Sequence, residues 1–195
     1  MDLSPARKTL HTPHLLLQAG HDGLAGALLD FQQRNQAHFA RWDPPTPPGF
    51  YTEAVQTERL RTALKAFGEG QGFRWWISPV DAPDQIIGTV NFSQVSRGAF
   101  HSAVLGYAID REWQGRGLMH EALVAALAEA FSPRINLHRV QAAFRPENTR
   151  SGALLQRLGF RPIGLSPDYL FIDGAWRDHQ LCALLNPAFH TPSGW

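Results

Sequence analysis

The spacing of apolar residues along the chain changes several times, and each change predicts an element. His14 to Gln18 (His-Leu-Leu-Leu-Gln) is a short apolar run of strand length. From Asp22 onward, Leu24, Leu28, Phe31 and Phe39 follow helical spacing, with Asp22 as the predicted N-cap. Asp43-Pro-Pro-Thr-Pro-Pro-Gly49 can form neither helix nor central strand, because proline removes backbone donors and fixes φ. It predicts a stiff loop between two helices; its PxxP spacing also fits a ligand for a proline-binding module. A second helix follows over about Tyr51 to Phe67 and ends at the glycines of Gly68 to Gly72.

Three strand signals come next. They are Phe73 to Ser78, the β-branched stretch Gln85 to Val95 in which Gly88 invites a kink or bulge, and Ala103 to Ile109. Their short connections predict an antiparallel meander. The period then returns to helical. Met119, Leu123, Leu127 and Phe131 recur every four residues, beside an alanine stripe, and predict a helix from Leu118 to Phe131. Arg139 to Phe144 reads as a strand, and Thr149 to Leu158 as a helix closed by Gly159. Tyr169 to Ile172 and Trp176 to Leu185 read as strands joined by the hairpin dipeptide Asp173-Gly174. The order β-α-α-β-β-β-α-β-α-β-β is α+β, with one strand-helix-strand unit in an otherwise antiparallel sheet.

Composition narrows the function classes. With 195 residues the chain suits one domain, read as a loose arm over residues 1–12, a domain over 13–188 and a short tail over 189–195. The 44% hydrophobic and 18% charged residues are globular proportions, and a net charge of +1 argues against a nucleic-acid coat or a polybasic membrane binder. Trp75-Trp76 beside basic residues could stack on bases, but on a strand one of the pair must point into the core. The lone Cys182 excludes an internal disulfide and a multi-cysteine zinc site. His11-x-x-His14 lacks a third ligand, so no metal is expected. No apolar run approaches the roughly 20 residues of a membrane span, and the amino terminus lacks a secretory pattern. The expectation is a cytoplasmic protein without a membrane partner.

The sharpest motif is Gln114-Gly-Arg-Gly-Leu-Met119, set between a strand and a helix start. Glycines two apart let backbone approach a bulky anion, and the helix start behind them offers free N–H groups and a positive dipole end. A pyrophosphate suits such a turn. There is no Gly-Lys-Ser/Thr closure and no third glycine of the dinucleotide fingerprint, so on spacing alone a plain strand-to-helix turn stays open.

In context, Gln/Arg-x-x-Gly-x-Gly/Ala opening a helix resembles the acetyl-CoA signature of the GNAT N-acetyltransferase superfamily. Asn148-Thr-Arg-Ser151 with Leu158-Gly-Phe160 resembles its second cofactor element. Leu105-Gly-Tyr107, Trp113-Gln-Gly115, Arg150-Ser-Gly152, Asp168-Tyr-Leu170 and Ile172-Asp-Gly174 with Trp176-Arg-Asp-His179 are similar to the RimJ/RimL subgroup, the RimJ branch above all. That likeness is dense from Gln85 to Leu185 and loose before it. It implies a GNAT fold, a mostly antiparallel sheet splayed at the cofactor strand and flanked by helices. It also implies transfer of acetyl from acetyl-CoA to a protein N-terminus, with the alanine of small-subunit ribosomal protein five as acceptor. Partners implied are that ribosomal protein and the ribosome, with no sequence-specific nucleic acid, and a monomer or weak dimer.

The resemblance assigns residues as well. The backbone of Tyr107, Ala108 and Ile109 would pair with the pantetheine arm. Gln114, Gly115, Arg116, Gly117, Leu118 and Met119 would hold the pyrophosphate, joined by Asn148, Arg150 and Ser151. Ser151 is the candidate donor to the leaving thiolate, against a plain helix-start role, and Asn148 is either N-cap or clamp. Arg145 and Arg157 are expected to be solvated. Trp42, Phe92, Tyr107 and Tyr169 would wall the acceptor channel, each with a core role as alternative. The relatives' glutamate base corresponds to Leu170 here, which leaves Asp168 as the nearest carboxylate and water as the rival base; Glu147 is farther away. A weak base suffices for an α-amine, which with a pKa near 8 is about 10% neutral at pH 7. The alternatives are a different amine acceptor, or a ribosome-assembly protein with a vestigial cofactor site. Intact Gln114, Gly115 and Gly117 argue against the second.

Overall fold

The computed structural model describes residues 6–192. Its eight strands form one sheet in the order β1-β2-β3-β4-β5-β6-β8-β7. The strands are β1 Thr9–His11, β2 Leu15–Gln18, β3 Phe73–Pro79, β4 Gly88–Ser96, β5 Ser102–Ile109, β6 Arg139–Phe144, β7 Arg161–Ile172 and β8 Ala175–Leu185. The helices are α1 Ala25–Arg34, α2 Gln36–Phe39, α3 Glu53–Gly68, α4 Leu118–Phe131 and α5 Thr149–Arg157. Every neighbouring pair is antiparallel except β5 with β6, which the α4 crossover makes parallel.

Alternation along β3 divides the sheet's two faces. Trp75 points into the larger core with Val90, Phe92 and the α4 residues Met119, Ala122, Leu123 and Ala126. Trp76 points the other way, into a smaller core with Leu24, Leu28, Phe31 and Leu60. Both tryptophans are therefore buried, one on each face, where the sequence analysis required only that one of the pair point into the core. Leu154 and Leu155 of α5 join the larger core, so α4 and α5 cover one face and α1 and α3 the other.

Several local expectations change. The amino-terminal arm contains β1, whose Leu10 is buried and pairs with Leu17, so that part is a sheet edge and not a loose end. Asp22 does not cap a helix. It lies in a short 3-10 turn and makes a two-pronged ion pair with Arg61 across to α3. Gly88 carries no bulge; the register shift in β4 falls between Ser93 and Ser96, where Gln94 takes a φ of 51°. The strand predicted over Tyr169 to Ile172 is the last third of β7. Pro162, Gly164 and Pro167 hid the rest, and they are tolerated because β7 is an edge strand with two register shifts. Asp173 and Gly174 both have positive φ, as the two-residue hairpin turn requires.

Candidate active site

The site begins where two parallel strands part. β5 pairs with β6 from Ser102↔Arg139 to Leu105↔Ala142, and there the ladder stops although both strands continue. On its other side β5 stays paired with β4 as far as Ile109↔Gly88. Residues 106–109 therefore present one edge of backbone with no strand partner, opening a wedge in the sheet. Gly88 fixes how closely β4 holds β5 there, since a Cβ at that position would lie 2.8 Å from the Ala108 carbonyl oxygen. Gly152 does the same for α5, because a Cβ there would meet the Phe144 ring at 2.8 Å.

The chain leaving β5 is pinned before it reaches the glycines. Asp110 is buried, accepts from Arg34 Nε at 2.5 Å, and caps the next turn by accepting from the Glu112 N–H. Burial opposes its charge, but Arg34, the Glu112 N–H and Asn35 outweigh that and hold the carboxyl below its ordinary range. Asn35 Oδ1 accepts from the Arg111 N–H at 3.0 Å. The helix α1 thus anchors the entrance to the Gln114–Met119 turn.

Within that turn Gly115 and Gly117 have φ of 77° and 79°, with open space where side chains would stand. Gly117 is the N-cap of α4 and offers no capping side chain. The first α4 bond runs from the Glu121 N–H to the Gly117 carbonyl, so the N–H groups of residues 118–120 have no partner inside the helix. An uncapped, glycine-lined helix start is a fit for a pyrophosphate. Gln114 is held from both sides: Arg150 Nη1 donates to its Oε1 at 2.9 Å, and its amide N–H donates to His38 Nε2 at 2.8 Å. Burial holds His38 below its ordinary pKa, which keeps the acceptor nitrogen free of a proton at pH 7. Sequence reading missed His38, which no motif marks. Arg116 turns back, with Nη2 on the Glu112 carbonyl at 3.0 Å and its guanidinium 5.0 Å from the Trp113 ring centre.

In the wedge the two hydroxyls meet. Tyr107 Oη and Ser151 Oγ are 2.7 Å apart, joining β5 to the first turn of α5. Asn148 Oδ1 accepts from the Ser151 N–H at 3.2 Å, so Asn148 caps the helix and fixes the serine backbone. Burial pushes the Tyr107 hydroxyl up to about 12, only partly offset by Ser151. It stays protonated at neutral pH and well above it.

The opposite side is assembled from distant segments. Trp42 lies between two guanidiniums, Arg41 at 5.3 Å and Arg145 at 5.5 Å from its ring. Arg145 Nη1 donates to the Arg41 carbonyl at 2.7 Å, tying the segment after α2 to the end of β6. Arg145 is only 12% exposed, so it is a structural clamp and not a solvated charge. Tyr169, on β7, packs against the buried His179 of β8 with ring centres 5.2 Å apart. Asp168 sits on the β7 irregularity with φ 46°, and its N–H donates to Asp178 Oδ1 at 3.0 Å. It makes no hydrogen bond to Tyr107 or Ser151. Phe92 is not a wall: its ring is fully buried in the larger core, edge-on to Trp75. The β4 alternation that sends Val90 inward sends Phe92 inward too. No group of three His, Cys, Asp or Glu side chains suited to a metal ion occurs among the described residues.

Comparison with known proteins fits this geometry. Residues 15–161 match the model of the acetyltransferase (GNAT) domain. The chain is 40% identical over 178 residues to the [ribosomal protein uS5]-alanine N-acetyltransferase of Escherichia coli, covering 91% of each. It is 31% identical over 159 residues to the probable N-acetyltransferase YjcK of Bacillus subtilis, covering 82% of this chain and 87% of that one. The solved ribosomal-protein-S5-alanine acetyltransferase of Vibrio fischeri superposes with a TM-score of 0.89 at 31% identity, over 94% of this chain and 99% of that one. Mycobacterium smegmatis RimJ, solved with CoA-disulfide, gives a TM-score of 0.81 at 30% identity over 88% of this chain and 81% of that one. GNAT acetyltransferases use acetyl-CoA. A splayed β5–β6 pair, a glycine-lined helix start and a match over most of the chain lead to one conclusion: this protein belongs to the GNAT acetyltransferase family.

Proposed function

We propose that this enzyme acetylates the α-amine of a protein N-terminus, with the N-terminal alanine of small-subunit ribosomal protein five as its acceptor in the cytoplasm. The observation that carries the reading is the wedge itself: β5 leaves β6 after Leu105↔Ala142, and Tyr107 and Ser151 meet in the opening 2.7 Å apart. The similarity to the uS5-alanine enzyme of Escherichia coli over 91% of the chain supplies the acceptor.

Acetyl-CoA supplies an activated acetyl thioester; the chain's part is to hold it and to manage charge. The N–H groups at the start of α4, with Gln114 and Arg150, hold the pyrophosphate, and the free edge of Tyr107, Ala108 and Ile109 holds the pantetheine. A backbone N–H of that edge polarises the thioester oxygen. As the amine nitrogen bonds to the carbonyl carbon, the C–S bond breaks and negative charge moves to sulfur. Tyr107 donates to Ser151 Oγ, which frees the serine proton to point at that sulfur. Full transfer from Tyr107, at about 12, to a thiolate whose thiol titrates near 8.5 is uphill by about 5 kcal/mol. The hydroxyl pair therefore stabilises the thiolate by hydrogen bonding. The nitrogen loses two protons in all: one leaves the ammonium before attack, and the second, lost as the amide forms, ends on sulfur.

On the acceptor side Trp42 and Tyr169 border the channel and Asp168 receives the ammonium proton. Asp168→Asn tests that role: a fall in kcat/KM of about tenfold or more from about pH 6 to 9 supports it, and an unchanged profile gives the step to water. The acceptor is tested with three peptides of otherwise equal sequence. One begins with free alanine, one has that amine blocked and an internal lysine, and one begins with a bulky residue. Turnover confined to the first is expected; rapid acetylation of the lysine peptide would overturn the reading.

A further inference from the structure

A cavity of about 450 Å³ lies between α3, the start of β3 and the second half of β4, away from the hydroxyl pair. Arg59 and Arg74 both line it, with Gln71, Asn91 and Gln94 adding polar groups. Its one carboxylate, Glu58, accepts from Thr62 Oγ1 at 3.2 Å and is exposed. Neither arginine has a carboxylate ion-pair partner among the described residues. Arg59 is held by its Nη1 donating to Gln56 Oε1 at 2.6 Å and by the Phe50 ring, 4.6 Å from its guanidinium. Arg74 rests on the Trp76 ring at 5.9 Å. Aromatic faces position a guanidinium without neutralising it. Burial, and for Arg59 the neighbouring Arg74, pulls it down to about 10, and burial lowers Arg74 too. Two unneutralised cations in one cleft are a site for an anion.

The sheet register connects this cavity to the wedge. Arg74 pairs with Asn91, and Asn91 pairs with Gly106. The three residues form one row across β3, β4 and β5, on the face that α4 does not cover. Gly106 is the first residue beyond the last β5–β6 pair. With strands about 4.8 Å apart, Arg74 starts about 10 Å from the opening. An extended polypeptide advances about 3.3–3.6 Å per residue, so that distance is about two to four residues of acceptor.

We propose that Arg59 and Arg74 form a specificity site that binds an acidic side chain of the acceptor, about two to four residues after the residue that is acetylated. This rests on the reading of a protein N-terminus as acceptor. The site selects among acceptors without touching the reacting atoms.

The test is steady-state kinetics of the full chain with two alanine-initiated peptides that differ only by glutamate or glutamine at the fourth residue. The glutamate peptide is expected to have a KM about tenfold lower at equal kcat, the low end for a charge-assisted hydrogen bond. Arg74→Gln should erase that difference while leaving the KM for acetyl-CoA unchanged, and Arg74→Glu should shift the preference to a lysine at that place. Should the variants fail to fold, the wild-type peptide pair read at low and high salt still decides, since a genuine preference shrinks with ionic strength. Equal KM values for two peptides that are both acetylated would overturn the proposal and leave the acceptor class standing. If neither peptide is acetylated while a small amine is, both fall. Inorganic phosphate should compete with the glutamate peptide only; equal inhibition of both would make the occupant a free small anion and overturn the proposal.

Discussion

The two sides of the β5–β6 wedge are held by different kinds of contact. The side proposed for the cofactor is mostly backbone: the free edge of residues 106–109, two positive-φ glycines and the uncapped start of α4. Its parts lie close together along the chain. The side proposed for the acceptor is mostly side chains brought from afar, with Trp42 clamped by Arg145 and with Arg74, beside Arg59 of α3, aligned with Gly106 through the sheet. A surface made of backbone changes only when the chain itself is moved. One made of side chains can be retuned residue by residue while the chemistry persists.

That contrast can be broken most sharply at Gly117. A valine there must adopt a left-handed conformation that costs a β-branched residue about 1–2 kcal/mol or more, so the turn will move. We expect kcat/KM to fall by about 10²-fold, the loss usual when a preorganised donor set is misplaced, with the KM for acetyl-CoA rising. A Gly117→Val enzyme with ordinary acetyl-CoA kinetics would remove the backbone cradle from the account.

The hydroxyl pair comes next. Ser151→Ala and Tyr107→Phe should each lower kcat by about 10- to 100-fold. The double variant should be little worse than the more damaged single one, because the two hydroxyls form one chain to one sulfur. Multiplying losses would show separate roles. The pH profile sharpens this. Rates should climb as the acceptor amine loses its proton near pH 8, then hold level to about pH 10. Tyr107 keeps its proton until about 12, so it contributes no alkaline fall in that interval.

Smaller effects are expected across the cleft. Trp42→Ala should raise the KM for the acceptor about fivefold and leave that for acetyl-CoA alone, a loss of about 1 kcal/mol that matches removal of a modest apolar contact area from the proposed channel wall. Phe92→Ala should change neither KM. It should cost about 3–5 kcal/mol of stability, read by thermal or denaturant melts, because it empties a packed core position.

How much of this the chain discloses before folding follows the same division. Helix α4, strands β3, β5 and β6 and the Asp173-Gly174 turn come out nearly residue for residue, since hydrophobic period and turn chemistry are local. The Gln114–Met119 motif is local too, and so was readable. The eight residues at the start of β7 were not, because proline and glycine on a bulged edge strand resemble a loop. Phe92 misled because an aromatic on a strand near a site says nothing about which face it occupies until the register is known. His38 and Arg145 depend on partners 76 and 104 residues away, where no spacing rule reaches, and the Arg59–Arg74 cavity depends on how α3 packs on the sheet.

Cys182 has a use that its inert surroundings conceal. It lies opposite Ala142, the last residue of β6 still paired with β5, and its thiol donates to the Ala142 carbonyl at 3.4 Å. Burial pushes that thiol up to about 11. As the chain's single cysteine, it is a native reporter: an alkylating reagent reaches it only when the core packing around β6 and β8 opens. The labelling rate therefore times the breathing of the sheet at the apex of the cleft, and slower labelling with acetyl-CoA present would measure how far the filled wedge locks the strands around it.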